Sequence, residues 1–182
     1  GGSADIDIPS DSVEDWYYYV TVDDAAGNGP VGDPSVDGSV NYTVSVSDND
    51  DPVISGDSGH VAVGTGGSVT LWVSASDNIG VVSAEVSVDG GVAVGMTWDA
   101  GESRWEYDYV APSTDEDHTY SLTVWDGEGL SDSSGPYDIT VTDDDAPVIT
   151  GDSGDVSVGT GGTVTLWVTA TDNVGVTSAD VT

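Results

Sequence analysis

The chain has no cysteine, no phenylalanine and no lysine, and Arg104 is its single arginine. Without cysteine there is no disulfide framework and no thiolate metal site. Without lysine or cysteine, two of the usual covalent nucleophiles are missing. Against one basic residue stand 34 acidic ones, a formal net charge of −33. Such a surface repels nucleic acid and anionic membranes, so neither is expected as a partner. No apolar run approaches the ~18 residues of a membrane-crossing helix, and no signal peptide is written at the start. A signal or anchor outside these residues is left open. Gly1-Gly2-Ser3 has the composition of an appended tag remnant.

Hydrophobic residues make up 37% of the chain, with six Trp and eight Tyr. That is enough to build a core, so the charge does not imply disorder. A compact state with this charge needs high salt or bound cations to screen the repulsion.

The dominant feature is a repeat. Pro52–Ser87 aligns without a gap on Pro147–Thr182, 95 residues later, with 26 identities in 36 positions. Tyr18–Asp24 matches Tyr120–Asp126, and Asn41–Ile54 matches Pro136–Ile149. Residues 1–50 therefore read as the back half of one repeat, 51–145 as a whole repeat and 146–182 as the front half of another. A period near ~95 residues is too long for a solenoid and fits an array of separate domains.

Within the whole repeat, Val69, Leu71, Val73 and Ala75 alternate with Thr70, Trp72, Ser74 and Ser76. Val82–Val88, Trp105–Tyr109, Tyr120–Val124 and Tyr137–Val141 alternate likewise, with Gly, Pro, Asp and Asn in the gaps. Period two predicts half-buried strands. About seven short strands in ~95 residues predict an all-β fold of tandem immunoglobulin-like sandwiches. Tyr120 and Tyr18 sit where a tyrosine corner would bury a ring and bond its hydroxyl.

The stretches VTLWVSASDNIGVVSAEVSVDG and VTLWVTATDNVGVTSADVT resemble prokaryotic Ig-like repeats of cell-surface and adhesin proteins. LTVWDGEGLSDSSGPYDITVTDDDAPVI resembles the back half of a cadherin-type repeat, which closes on Asp-rich linker residues and proline. The linkers here are shorter than the cadherin pattern, so no calcium stoichiometry carries over. The acidic bias resembles haloarchaeal surface proteins. These resemblances imply an extracellular setting.

A fragment such as 147–182 alone would expose an apolar face and an open edge. Thr182 matches Ser87, and Gly1-Gly2 can be matched to Gly90-Gly91, so about two residues would separate a tail from a following head. Either the chain is a window of a longer tandem array, or copies complement one another head to tail, a heterologous contact that builds an open filament. Both readings give a linear fibre, with self as the partner.

In an Ig-type sandwich, loops alternate between the two ends. The linker Asp48, Asp50 and Asp51, the Asp77-Asn78 loop and Asp126 are thus expected at one end, with Asp11, Glu14 and Asp15 of the preceding domain. The second junction would gather Glu116, Asp117, Asp143, Asp144, Asp145, Asp172 and Asn173. Hard oxygen donors on acidic loops suit Ca²⁺, which takes about 6–8 oxygens, better than Mg²⁺ with its strict octahedron. The alternative is ordinary Asx turn chemistry in a solvated acidic chain.

Trp72 and Trp167 fall on the outward strand phase and mark either a contact or sugar platform or a ring covered by its neighbours; Trp105 and the tyrosines are expected in the core. Asn41-Tyr42-Thr43 is an N-glycosylation sequon. His60 and His118 are the only histidines, and no Gly-Lys-Ser phosphate loop or Gly-X-Ser-X-Gly elbow is present. An enzyme is therefore not expected. The expected function is structural: a fibre or cell-surface stalk with calcium-stiffened junctions. The alternatives are a carbohydrate-binding or adhesive module and an accessory array of a larger secreted enzyme.

Overall fold

The alternation of apolar and polar residues appears as strands in most of the chain, and no helix forms among the described residues. The computed structural model describes residues 2–182. Gly1, and with it the match of Gly1 to Gly90, lies outside the described residues. The head carries four three-residue strands: β1 (Trp16–Tyr18), β2 (Val20–Val22), β3 (Val31–Asp33) and β4 (Tyr42–Val44). They pair as two antiparallel ribbons, β1 with β4 and β2 with β3.

The whole repeat carries nine strands, where the sequence pattern suggests about seven. They are β5 (Val53–Asp57), β6 (Val61–Gly64), β7 (Ser68–Ser76), β8 (Val81–Val88), β9 (Val94–Gly95), β10 (Thr97–Asp99), β11 (Arg104–Val110), β12 (His118–Asp126) and β13 (Ser131–Thr142). The additions, β9 and β10, are too short for any period to register. One sheet runs β10-β11-β7-β5 and the other β6-β13-β12-β8-β9. The first strand region thus divides: β5 joins one sheet and β6 pairs parallel with β13 in the other. This is an immunoglobulin-like β-sandwich.

Its core is what the alternation selects. Leu71 and Val73 face inward from β7, Ala84 and Val86 from β8, Tyr120 and Leu122 from β12, and Ile139 and Val141 from β13, all buried. Each such aliphatic side chain contributes about 1.5–3 kcal/mol by leaving water. Trp105 departs from the expectation. It is half-buried, paired across strands with Trp98, the rings 5.4 Å apart and edge to face.

The Tyr120 ring is buried as expected, but its hydroxyl does not close a tyrosine corner on its own strand. It donates to the Gly59 carbonyl at 2.5 Å and lies 2.7 Å from Ser58 Oγ, in the β5–β6 turn. The Tyr18 ring, by contrast, is substantially exposed.

The tail keeps only β14 (Val148–Asp152) and β15 (Val168–Thr171), paired antiparallel. Residues 176–182, the repeat of β8, carry no strand. A strand needs neighbours to satisfy its amides.

The chain divides into two compact units. One comprises Gly1–Ile54, Ala75–Ser83 and Val124–Asp132. The other comprises Ser55–Ser74, Ala84–Thr123 and Ser133–Thr182.

Candidate metal centre

Asp48, Asp77 and Asp126 meet in the first of these units. One carboxylate oxygen from each lies within 4.8 Å of the others. Among the described residues, no other group of three acidic or histidine side chains comes this close. Each carboxylate is built the same way. One oxygen is held by amide N–H groups of the backbone, joined at Asp48 by a side-chain amide, as short loops of Asp, Gly and Asn dictate. Asp126 Oδ1 accepts from the amides of Glu128, Gly129 and Leu130 at 2.9, 2.7 and 2.8 Å. Asp77 Oδ1 accepts from those of Ile79 and Gly80, both at 2.8 Å. Asp48 Oδ1 accepts from the Asp50 amide at 3.2 Å and Asn78 Nδ2 at 3.3 Å.

The other oxygen, Oδ2, is in all three cases buried without a hydrogen-bond partner. Asp126 as a whole is only 3% exposed. Three like charges at up to 4.8 Å repel by about 3–4 kcal/mol per pair at an effective dielectric near 20. Native proteins rarely leave such atoms unmatched. Two oxygens bound to one Ca²⁺ at about 2.3–2.6 Å lie within about 5 Å of each other. The spacing of the trio therefore fits one shared hard cation. Beside it a cleft of ≈ 440 Å³ is lined by Ser10, Ser12, Ser47, Asp48 and Asn78 among others. It offers further oxygens and room for water.

The remaining first-junction residues lie elsewhere. Asp50 and Asp51 are exposed and stand outside the trio, as do Glu14 and Asp15. Asp15 Oδ1 accepts from the Val46 amide at 3.2 Å, a strand-closing role. Asn78 presents its Nδ2, which donates to the Ser10 carbonyl at 2.6 Å. An amide nitrogen is no ligand, so on this side Asn78 ties two loops together.

At the second junction no three carboxylates converge as the first trio does, and the chain's groups are used locally. Asp117 Oδ1 accepts from the Val141 amide at 3.0 Å, and Asp145 Oδ2 from Thr65 Oγ1 at 3.2 Å. Asp144 packs on Gly64, where no side chain would fit. Asp143 Oδ1 accepts from the Asp145 amide at 3.1 Å. Asp172 Oδ1 accepts from Val174 and Gly175 at 3.0 and 2.9 Å, and its Oδ2 is again buried and unpartnered. Asn173 Nδ2 donates to Thr65 Oγ1 at 2.9 Å and the Ser113 carbonyl at 3.2 Å. Glu116 is exposed.

Trp72 is not a free platform. The Arg104 guanidinium lies 4.9 Å over its ring, a cation–π contact. Gly56 lies close to the ring's edge, so that even a Cβ there would be at 3.5 Å. The lone arginine is itself paired with Glu106 at 2.7 Å. Trp167 is 53% exposed. Asn41 is exposed, its Nδ2 donating to the Gly38 carbonyl at 3.1 Å.

The family comparison agrees with this fold. Residues 58–124 match the family model described as a bacterial Ig domain, from the β5–β6 turn to near the end of β12. No curated protein matches the chain. Among solved structures, the SrpA adhesin R347E mutant from Streptococcus sanguinis is similar to it at 17% identity and a TM-score of 0.40. That likeness covers 54% of this chain and 61% of that one, less than two thirds of its length.

Proposed function

We propose that this chain is a segment of an extracellular fibre or cell-surface stalk, in which Ca²⁺ on Asp48, Asp77 and Asp126 stiffens an acidic linker. The observation that carries the calcium reading is the trio of buried, unpartnered carboxylate oxygens, each anchored through its other oxygen. A cation there offsets the mutual repulsion and ties the linker at Asp48 to the loops 77–80 and 126–130. Elastic freedom of that linker falls as a result. The match of residues 58–124 to a bacterial Ig domain supports the surface setting, as does the repeat, which gives the chain a modular length rather than a cleft with chemistry.

The glycan reading is the weaker one, because Arg104 already occupies the Trp72 face. Isothermal titration of the chelator-treated chain with Ca²⁺ tests the proposal. Binding is expected for the parent and lost in Asp77→Asn. Equal heats for both, or none for either, would sink it. Thermal melts in high NaCl with chelator separate a bound ion from general screening.

A further inference from the structure

The sheet β10-β11-β7-β5 has an edge strand that stops short. β10 pairs with β11 only from Asp99 opposite Arg104 to Thr97 opposite Glu106. On its other side β11 pairs with β7 from Trp105 to Val110. The chain leaves the β10 edge at Met96, whose amide donates to the Ala84 carbonyl of the other sheet at 2.8 Å. Residues 107–110 therefore have a strand on one side and none on the other.

Which groups face the open side follows from one bond. The Ala111 amide donates to the Gly67 carbonyl at 2.9 Å, on the side of β7. Backbone groups of an antiparallel strand alternate in direction. Trp105, Tyr107 and Tyr109 thus turn their N–H and C=O groups to β7, and Arg104 and Glu106 turn theirs to β10. Asp108 and Val110 point theirs outward, where no strand pairs with them. Both residues are exposed, Val110 by 63%. The other edge of the sheet is treated differently. There the Ile54 amide of β5 is closed by Asp132 Oδ2 at 2.9 Å.

The surroundings define what can pair at the open edge. A notch of ≈ 500 Å³ lies where β10 stops, lined by Thr97, Trp98, Asp99, Glu106, Tyr107 and Asp108 among others. Three of these are carboxylates and none is cationic. Arg104 lies over Trp72 and is paired with Glu106. The Trp98 ring is 48% exposed. An unpaired edge invites a strand of a second copy. Here that copy would bring its own net charge of −33, and like charges oppose the pairing. The same carboxylates favour a strand that carries cations.

We propose that the edge at Asp108 and Val110 receives an extended basic segment of a partner protein, added as a short strand in line with β10. Its backbone bonds the N–H and C=O groups of Asp108 and the amide of Val110. A lysine or arginine placed opposite Asp108 lies on the face that Asp108 shares with Glu106, one directly across and the other on the diagonal. A segment alternating basic and neutral residues suits this edge, because every second side chain then meets the carboxylates. The Trp98 ring beside the notch adds a surface for cation–π contact. The site shares no residue with the Asp48, Asp77 and Asp126 trio, and the proposal does not depend on the calcium reading.

The probe is a synthetic octapeptide of alternating Lys and Thr, added to the full chain with Ca²⁺ at about 0.15 M salt. Binding is read by fluorescence anisotropy of the labelled peptide, and its place by amide hydrogen exchange. In the free chain the Asp108 and Val110 amides should exchange fast and those of Tyr107 and Tyr109 slowly. The peptide should slow the first pair and leave the second unchanged. Val110→Pro removes an amide that faces the open edge, so the variant should fold and bind about tenfold more weakly. Asp108→Asn keeps an acceptor for Thr70 Oγ1 and carries the test should the proline variant not fold; it too should weaken binding. An octapeptide of alternating Glu and Thr should not bind. Binding that protects neither amide overturns the proposal, as does binding that both variants leave intact, or no binding at all. Equal binding of the Glu peptide overturns the basic partner. Protection that grows with chain concentration in the absence of peptide assigns the edge to a second copy and overturns it as well.

Discussion

Residues 52–87 and 147–182 are nearly the same sequence in two environments. In the first, Leu71 and Val73 of β7 are fully buried in the core of the sandwich, with Val69 and Ala75 part-buried on the same face. In the second, the hairpin β14–β15 survives, but the strand repeating β8 is not formed. Local sequence therefore suffices for the turn and the first ladder. Burial of the stripe, and the strands that depend on it, need the other half of the fold. The acidic loops obey the same division. Asp77 and Asp172 make the same Asx bonds, yet only Asp77 stands among three converging carboxylates.

Truncation gives the widest contrast. Leu71→Ala should cost about 2–5 kcal/mol in denaturant unfolding. Leu166→Ala should change monomer stability by less than about 0.5 kcal/mol. Equal losses would mean that the tail is already packed. Calcium comes next. At a hundredfold excess over its dissociation constant, one ion should stabilise the chain by about 2.7 kcal/mol. Asp126→Asn should abolish that gain in paired melts with and without chelator, whereas Asp172→Asn in the monomer should leave it intact.

The tyrosine hydroxyls differ less. Tyr120→Phe removes a bond to the Gly59 carbonyl and should cost about 1 kcal/mol. Tyr18→Phe, at a ring that is substantially exposed, should change stability by less than about 0.5 kcal/mol. The smallest effect concerns acid. The Thr119 amide, then the His118 ring, hold the Asp89 carboxyl below its ordinary value. A depressed folded value contributes stability above the unfolded value near 4, lost as pH falls through the folded one. Asp89→Asn should flatten that part of the acid limb slightly in pH-dependent melts.

Much of this was legible from residue order. The period-two runs of β7, β8 and β12 located strands and their inward faces, because one-sided burial selects alternation. The alternation of loops between sandwich ends brought Asp48, Asp77 and Asp126 together on paper. The pattern could not show which oxygens of a linker turn inward, so Asp50 and Asp51, near the proline, looked better ligands than Asp48. It also passed over the β5–β6 division between sheets, whose signal is a turn rather than a period. The cover over Trp72 came from Arg104, thirty-two residues away in sequence, which no local pattern reports. The first half of β13 is wholly Ser, Asp, Gly and Pro, and only its later residues carry the alternation.

The measurement that tests the account most directly is an electron-density map of the chain crystallised with Ca²⁺. The account predicts a peak between Asp48, Asp77 and Asp126, with their Oδ2 atoms at about 2.3–2.6 Å from it. A water-filled gap, with the three carboxylates turned apart, would contradict it.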